Sequence, residues 1–279
     1  MQERDYNALR YSPNSGQPVS RDKQLQDNIL AAVRNREFFI CLQPKFAFPE
    51  RKIIGAEVLL RWNAPNDGII FPAEFLSAAR SAGLIELLDL YALNDACACL
   101  RKWIDAEAQA VPFSINISSS ALYTPGFVEA AIDTVKKHNI PPEYLEFEFS
   151  SQFIKEFPEK LGKTIAYFHS LGYSCAIDGY AQPAASLAHV FAFDIDTLKL
   201  NCRSFAPDDS RIGMESCVKT LDATKAYDKR VFCEGVETPY QLETLLAADC
   251  RLLQGYALSM PVSTRLFEKM MVRHKENKL

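Results

Sequence analysis

The sequence predicts an α/β fold, a modified (β/α)8 barrel of the TIM type whose first strand is antiparallel. Three observations lead there. From Pro112 onward, short apolar runs with strand character alternate with helical patterns at a near-constant period, without a linker-like break. The number of repeats favours a closed barrel over an open doubly wound sheet. Before Pro112, two strand-like runs are joined only by a short charged turn, which makes them a hairpin and therefore antiparallel.

The elements follow in order. Residues 1–20 are polar, rich in Asn, Ser, Pro and Gly, and read as a flexible tail; the barrel is expected over 21–279. Arg21 to Arg36 has helical spacing, with Leu25, Ile29, Leu30 and Val33 on one face. FFICLQP, Phe38 to Pro44, is a strand stopped by its proline. After the turn Pro49 to Lys52 comes IGAEVLLRW, Ile54 to Trp62, a buried strand carrying one carboxylate, Glu57. Pro72 to Ala82 is a helix with proline in its first turn, and Leu84 to Glu107 is a longer one. Then strands and helices alternate. The strands are Pro112 to Ser118, Tyr144 to Ser150, Tyr173 to Asp178, Asp196 to Asn201, RVFCEG and RLLQGY. The helices are one ending near His138, Pro158 to Leu171, a short one before Asp196, Asp209 to Tyr227, Pro239 to Ala248, and a last one to about His274.

Composition excludes several classes of function. With 31 basic against 35 acidic residues and a net charge of −4, the chain has no global attraction for duplex DNA or RNA or for an anionic membrane. The apolar helix Leu84 to Trp103 carries Glu86, Asp89, Asp95 and Arg101, so it is not a membrane span. No signal peptide is legible near Met1, and the eight cysteines form no C-x-x-C pair. They read as reduced, buried thiols of a cytoplasmic protein, and a zinc site would need them clustered. No G-x-G-x-x-G or P-loop occurs, so a dinucleotide fold would lack its phosphate cradle.

The polar residues near strand ends carry the chemistry. Glu57, Asn116, Glu148, Asp178, Lys199, Glu234 and Gln254 each lie at or near such an end. In a barrel these ends converge on one face. Each has a plain alternative. Arg61, four residues past Glu57 and on the same side of the strand, can be its internal ion-pair partner or a phosphate ligand. Lys199 can pair with Asp196 or Asp178, Asn116 or Gln254 can cap a turn, and Glu234 can cap a helix. Four carboxylates crowded together repel unless cations neutralise them. Oxygen donors without His or Cys suit a hard ion, Mg²⁺ or Mn²⁺.

At these residues the chain resembles the EAL domain family, whose active members hydrolyse the bacterial messenger cyclic di-GMP to a linear dinucleotide. The resemblance runs from about Leu25 to Val272 through FFICLQP, GAEVLLRW, PAEFLSAARSAGLI, FSINIS, LEFEFS, AIDG, DTLKLN, CEGVET and LLQGYALSMP. It implies that Glu57, Asn116, Glu148 and Asp178 hold a first divalent ion and that Glu234 helps to hold a second. It further implies that Lys199 steadies the attacking water, with Gln43 and Arg61 on base and phosphate and Glu237 and Gln254 completing the pocket.

The chain departs from the family at several places, chiefly after the strand ending at Asp178. The signature tripeptide reads Glu57-Val58-Leu59, a mild change. After Asp178 the family has a second aspartate and a loop of the form F-G-T-G-Y-S-S-L. Here Gly179 takes the aspartate's place, and Ala181 and Pro183 replace both loop glycines. Ser150 and Ser151 stand where the family has Thr and a bracing Glu. Asn201 replaces an aspartate, and Met260 a frequent basic residue. The expectation is one ion site kept and the second weakened. The main functional expectation is a cyclic di-GMP receptor or signalling module impaired in hydrolysis. A slow phosphodiesterase and a protein-interaction module that no longer binds nucleotide are the alternatives, and a protein partner or homodimer is compatible with each.

Overall fold

The computed structural model describes residues 28–65, 67–183, 186–207 and 210–276. The expected tail at 1–20, and Leu25 with it, lies outside them. Eight strands close the barrel: β1 (Phe38–Ala47), β2 (Lys52–Ala64), β4 (Phe113–Ile117), β5 (Leu145–Ser150), β6 (Ser174–Tyr180), β7 (Thr197–Asn201), β8 (Arg230–Glu234) and β9 (Leu252–Leu253). From β2 to β9 every barrel pairing is parallel. β1 is antiparallel to both of its barrel neighbours, β2 and β9. Two short strands lie outside the ring: β3 (Gly68–Ile70) extends β2, and β10 (Val262–Ser263) pairs with β1.

Helix 28–34 (α1) precedes the barrel. Around it lie α2 (Pro72–Ser81), α3 (Ile85–Asp105), α4 (Phe127–Lys137), α5 (Phe153–Glu156), α6 (Pro158–Ser170), α7 (Leu187–Phe191), α8 (Cys202–Phe205), α9 (Arg211–Thr224), α10 (Pro239–Ala247) and α11 (Thr264–Glu276). Among the described residues, no helix is long and apolar enough to cross a membrane.

Strand alternation sorts the core. On β4, β5 and β7 the apolar residues point out to the helices. Phe147 stacks on Phe168 of α6 at 4.1 Å, and Phe113 meets Trp103 of α3 edge-on at 5.3 Å. The intervening residues point into the ring, and they are polar: Ser114 and Asn116, Glu146 and Glu148, Thr197 and Lys199. The apolar core therefore sits outside the barrel wall, and much of the interior is a hydrogen-bonded polar stack. A second apolar cluster around Phe38, Trp62 and Phe75 closes the space beneath α1 and α2.

Several expectations change in detail. Pro44 does not end β1, which runs on to Ala47. Ala56, opposite Pro44, sends its N–H to Pro112 O at 3.0 Å, so the proline faces a non-hydrogen-bonded position. On its other side β1 pairs with β10 at Cys41 and Leu42 and with β9 at Phe46 and Ala47, and Pro44 falls in the gap between them. Its missing N–H removes no rung. In α1, Ile29 and Ala32 are buried while Leu30 is exposed, because the face presented to the barrel is narrower than the apolar spacing implies. The strand read from RLLQGY shrinks to Leu252–Leu253.

Candidate functional site

The parallel register brings the inward polar residues to one end of the ring. Asn116 sits opposite Glu148, Ser150 opposite Asp178, and Asn201 opposite Glu234. Lys199, wholly buried, is the hub. Its Nζ donates to Glu57 Oε2 at 2.9 Å and to Glu148 Oε2 at 2.8 Å. Ion-pair contacts to Asp178 Oδ1 at 2.7 Å and Glu234 Oε2 at 3.1 Å complete its surroundings. Glu57 is further held by Asn116 Nδ2 at 3.0 Å and Gln254 Nε2 at 2.8 Å, and Glu234 by Asn201 Nδ2 at 3.0 Å. Gly255 lets the chain after Gln254 lie against Val236, where a Cβ would fall 2.1 Å from the carbonyl oxygen.

A second polar layer lies deeper. Lys45 Nζ donates to Glu148 Oε1 at 2.7 Å, to Glu146 Oε2 at 3.3 Å and, over a short contact, to the Ser114 hydroxyl. Glu146 also accepts from Thr197 Oγ1 at 2.7 Å and from Arg230 at 3.0 Å. This layer was not foreseen from sequence. The signal existed: Lys45 is two residues past Gln43, and Glu146 two before Glu148, so each shares the inward face of a known site residue.

Charge follows geometry. Burial alone would strip the proton from Lys199, but Asp178, Glu148, Glu234 and Glu57 outweigh it and hold the ammonium well above its ordinary range. Burial works against a charged Glu148 as well; Lys199 and Lys45 together overcome it and lower the carboxyl to about 2. Asp178 goes the other way. Burial, with Glu234, Glu148 and Glu57 nearby, pushes it well above the carboxylate range despite Lys199. With Asp178 protonated, Glu57, Glu146, Glu148 and Glu234 face Lys45, Lys199 and the exposed Arg230, an excess of one negative charge that becomes two when Asp178 ionises. One divalent cation would cancel those two.

The unpaired atoms point the same way. Among the described residues, four buried side-chain polar atoms lack a hydrogen-bond partner, and three belong to expected site residues: Asp178 Oδ1, Gln254 Oε1 and Arg61 Nε. The Asp178 oxygen is within ion-pair distance of Lys199 yet outside hydrogen-bond geometry. Carboxylate and amide oxygens with spare lone pairs, in a ring short of positive charge, fit a hard divalent ion. The residues expected to hold ions, Glu57, Asn116, Glu148 and Asp178 for one and Glu234 for a second, all border this hub, with the Lys199 ammonium between the carboxylates.

Two cavities flank Asp178 at the mouth. One, of about 280 Å³, is lined among others by Gln43, Glu57, Asn201, Glu234, Glu237 and Gln254. The other, of about 310 Å³, opens between β2, β4 and β5 and is lined by Leu60, Asp89, Asn116, Ser118 and Asp178 among others. Glu237 accepts from Arg203 at 3.2 Å, and Gln43 donates to Ser259 O at 3.4 Å. Arg61 stands apart from the hub. It is not the ion-pair partner of Glu57; its guanidinium lies over Phe71 at 5.2 Å and donates to Leu60 O at 2.8 Å. Both Asp89 oxygen contacts also escaped the sequence reading: one carboxylate oxygen accepts from Ser118 N at 3.0 Å and Ser118 Oγ at 2.6 Å.

The β6 exit has its own geometry. A bulge sets Asp178 and Gly179 together against β7, between the pairs Ile177–Leu198 and Tyr180–Leu200. Gly179 has φ +70, and a Cβ there would meet no atom within 4 Å. Neither Ala181 nor Pro183 has a positive φ. Ser151, standing where the resemblance puts the family's bracing glutamate, touches the backbone of this exit itself. Ser151 Oγ donates to Gly179 O at 3.1 Å, and Ser151 N to Asp178 O at 2.8 Å.

A closed eight-stranded barrel with an antiparallel first strand and a carboxylate-lined mouth built around one buried lysine defines the class: a (β/α) barrel with an acidic, cation-attracting mouth. The EAL domain model matches residues 24–261, and the chain belongs to the EAL domain family. It is 28% identical over 264 residues to the uncharacterized protein Rv1357c of Mycobacterium tuberculosis, covering 92% of this chain and 86% of that protein. It is 27% identical over 253 residues to the cyclic di-GMP phosphodiesterase NbdA of Pseudomonas aeruginosa, covering 90% of this chain and 32% of that longer protein. Among solved structures, the PaMucR phosphodiesterase in complex with cyclic di-GMP superposes with a TM-score of 0.79 at 25% identity, over 88% of this chain and 99% of that one. The EAL enzyme Bd1971 bound to cAMP and cyclic di-GMP gives a TM-score of 0.81 at 25% identity, over 92% and 70%.

Proposed function

We propose that residues 21–279 act as a cyclic di-GMP receptor domain, with hydrolysis impaired by the altered exit of β6. The observation that carries this reading is the contrast at Asp178. The hub of Glu57, Glu148, Asp178, Lys199 and Glu234 is assembled, while the next position is a glycine whose side of the backbone is empty. The cyclic dinucleotide lies across the mouth. Gln43 and Glu237 meet a base edge, and the spare Arg61 Nε meets a phosphate, which a guanidinium can grip as a fork. Gln254 holds Glu57 in place through one end of its amide and offers Oε1 with the other.

One Mg²⁺ or Mn²⁺ fits among Glu57, Asn116, Glu148 and Asp178, with Glu234 left as half of a weakened second site. Such an ion, when bound, lowers the pKa of water and screens phosphate charge. Lys199 serves the ligand-free state by neutralising the same carboxylates, and it stays placed to orient a water beside the phosphate. That arrangement, with Ser151 still bracing the Asp178–Gly179 backbone, favours slow phosphodiesterase activity as the second reading.

Calorimetric titration of the purified protein with cyclic di-GMP, with and without Mg²⁺ or Mn²⁺, tests the proposal. Binding at micromolar Kd or better, about −8 kcal/mol, is expected. No heat and no shift in melting temperature at saturating ligand would leave the interaction-module reading in its place.

A further inference from the structure

The cysteines, scattered in sequence, converge outside the ring. Cys202 opens α8 immediately after β7, Cys217 lies on α9, and Cys233 lies on β8. All three are fully buried free thiols, and their sulfurs lie within 4.8 Å of one another. The Cys202 and Cys217 sulfurs are 3.6 Å apart. A fourth thiol, Cys250, lies against Cys233 and makes its own contact to Leu252 O at 3.5 Å. The thiols are free and mostly buried, as expected, and three of them cluster because the β7-α9-β8 crossover stacks residues that sequence spacing keeps apart.

We propose that Cys202, Cys217 and Cys233, with Cys250 as a fourth sulfur, form a site for a soft divalent cation of the zinc class. Tetrahedral zinc has Zn–S distances of about 2.3 Å, which puts its sulfurs about 3.8 Å apart. The sulfurs of Cys202, Cys217 and Cys233 lie within 4.8 Å of one another, close to that spacing, and Cys250, outside that group, completes the four by turning toward them. The donor chemistry separates this site from the mouth of the barrel: sulfur selects zinc-class ions, while the oxygen cluster selects Mg²⁺ or Mn²⁺. On binding, each coordinating thiol gives its proton to solvent as its sulfur–metal bond forms, the ion sheds water, and no electron is transferred.

The placement has a consequence for the mouth. Cys202 directly follows Asn201, and Cys233 directly precedes Glu234, the pair joined at 3.0 Å. Strand alternation turns Cys233 outward and Glu234 inward. An ion held by the thiols ties the ends of β7 and β8 to α9 from behind.

The test is a Co²⁺ titration of the full-length, reduced, chelator-treated protein. One equivalent should give the intense visible bands and sulfur-to-cobalt charge-transfer absorption of a tetrahedral thiolate site. Zn²⁺ at one equivalent should bleach them, and a large excess of Mg²⁺ should not. Cys217→Ser should lose them, and Cys97→Ser, a buried thiol packed elsewhere, should keep them. Weak octahedral absorption only, an unchanged spectrum in Cys217→Ser, or equal loss in both variants overturns the proposal. Should Cys217→Ser fail to fold, alkylation of the unmodified protein decides. Zn²⁺ must slow labelling of Cys202, Cys217 and Cys233 at least tenfold relative to Cys97, and no such selectivity overturns the site.

Discussion

The exits of β7 and β8 and the exit of β6 stand side by side at the mouth, yet they are held differently. Asn201 and Glu234 are register partners on adjacent parallel strands and are bonded side chain to side chain. Asn201 Oδ1 also caps α8 by accepting from Ser204 N at 2.9 Å. At the β6 exit the register breaks, Asp178 sits on a bulge, and Gly179 occupies a left-handed backbone conformation. On the β5 side, Ser150 pairs with Asp178, and Ser151 just beyond it donates to the Asp178 and Gly179 carbonyls. Groups on in-register strands are positioned by neighbours that the fold needs anyway. A group on a bulge is positioned by its loop, so changing the loop changes the group.

The largest effect expected of this contrast is on hydrolysis. Release of linear dinucleotide from cyclic di-GMP should be slower than by an active relative by about 10³-fold or more, in Mg²⁺ and in Mn²⁺. Turnover on the order of 1 s⁻¹ would break the comparison and promote the phosphodiesterase reading. Gly179→Asp alone should help little, since a side chain at φ +70 adds a backbone cost of about 1 kcal/mol while the loop stays as it is. Ser151→Glu, Gly179→Asp and the loop Phe-Gly-Thr-Gly-Tyr-Ser across 180–185 together should recover more than the separate changes combined.

Next in size is the hub. Lys199→Met removes the cation that four carboxylates share and should destabilise the metal-free protein by about 3–5 kcal/mol, read from denaturant melts. Mn²⁺ should restore part of that loss. A change below about 1 kcal/mol would falsify the shared-cation account.

Arg61 tests the ligand side of the same contrast. Arg61→Ala should weaken cyclic di-GMP binding by about 1.5–3 kcal/mol in calorimetry. Arg61→Lys should recover little of it, because an ammonium cannot fork onto a phosphate. Full binding by Arg61→Ala would mean that Phe71 stacking is all this side chain does.

The smallest effect concerns Asp89, at the edge of the cavity on the β4 side. Burial raises its carboxyl to about 6, against hydrogen bonds from Ser118 that pull it down. Its folded pKa lies above the unfolded value, so the folded state binds the proton more tightly. Stability from this group is then lost as pH rises from about 4 through about 6. Acidifying from pH 7 to 5 should stabilise the metal-free protein by about 1–2 kcal/mol at this site. Asp89→Asn should abolish that dependence while keeping an acceptor for Ser118. An unchanged pH profile in the variant would assign the titration elsewhere.

Much of the ring was legible. LEFEFS places both glutamates on one face and all three apolar residues on the other, and FSINI and TLKLN do the same for Asn116 and Lys199. Alternation belongs to a single strand and needs no partner to be read. Gly179 was legible as a missing side chain, but its left-handed backbone and bulge were not, since both depend on how β6 meets β7. Ser151 was legible as the replacement of a family glutamate, but its contacts to the Asp178 and Gly179 carbonyls were not. The distance it had to span is a property of the folded loop.

By itself, the sequence determined the alternating (β/α) pattern, the inward set of polar residues and the alteration after Asp178, all of which are local in the chain. Tertiary structure alone decided who meets whom. Glu57 and Gln254, 197 residues apart, are brought to 2.8 Å by closure of the ring. Closure made Lys199 the shared cation of four carboxylates and set Lys45 beneath it. Arg61, read as a neighbour of Glu57, lies over Phe71 from the segment beyond β3. Cys202, Cys217 and Cys233 meet because a crossover helix lies on two adjacent strands. Spacing along one strand fixes the face a side chain takes, but its partner across the ring depends on register and closure, which are sums over contacts distant in sequence.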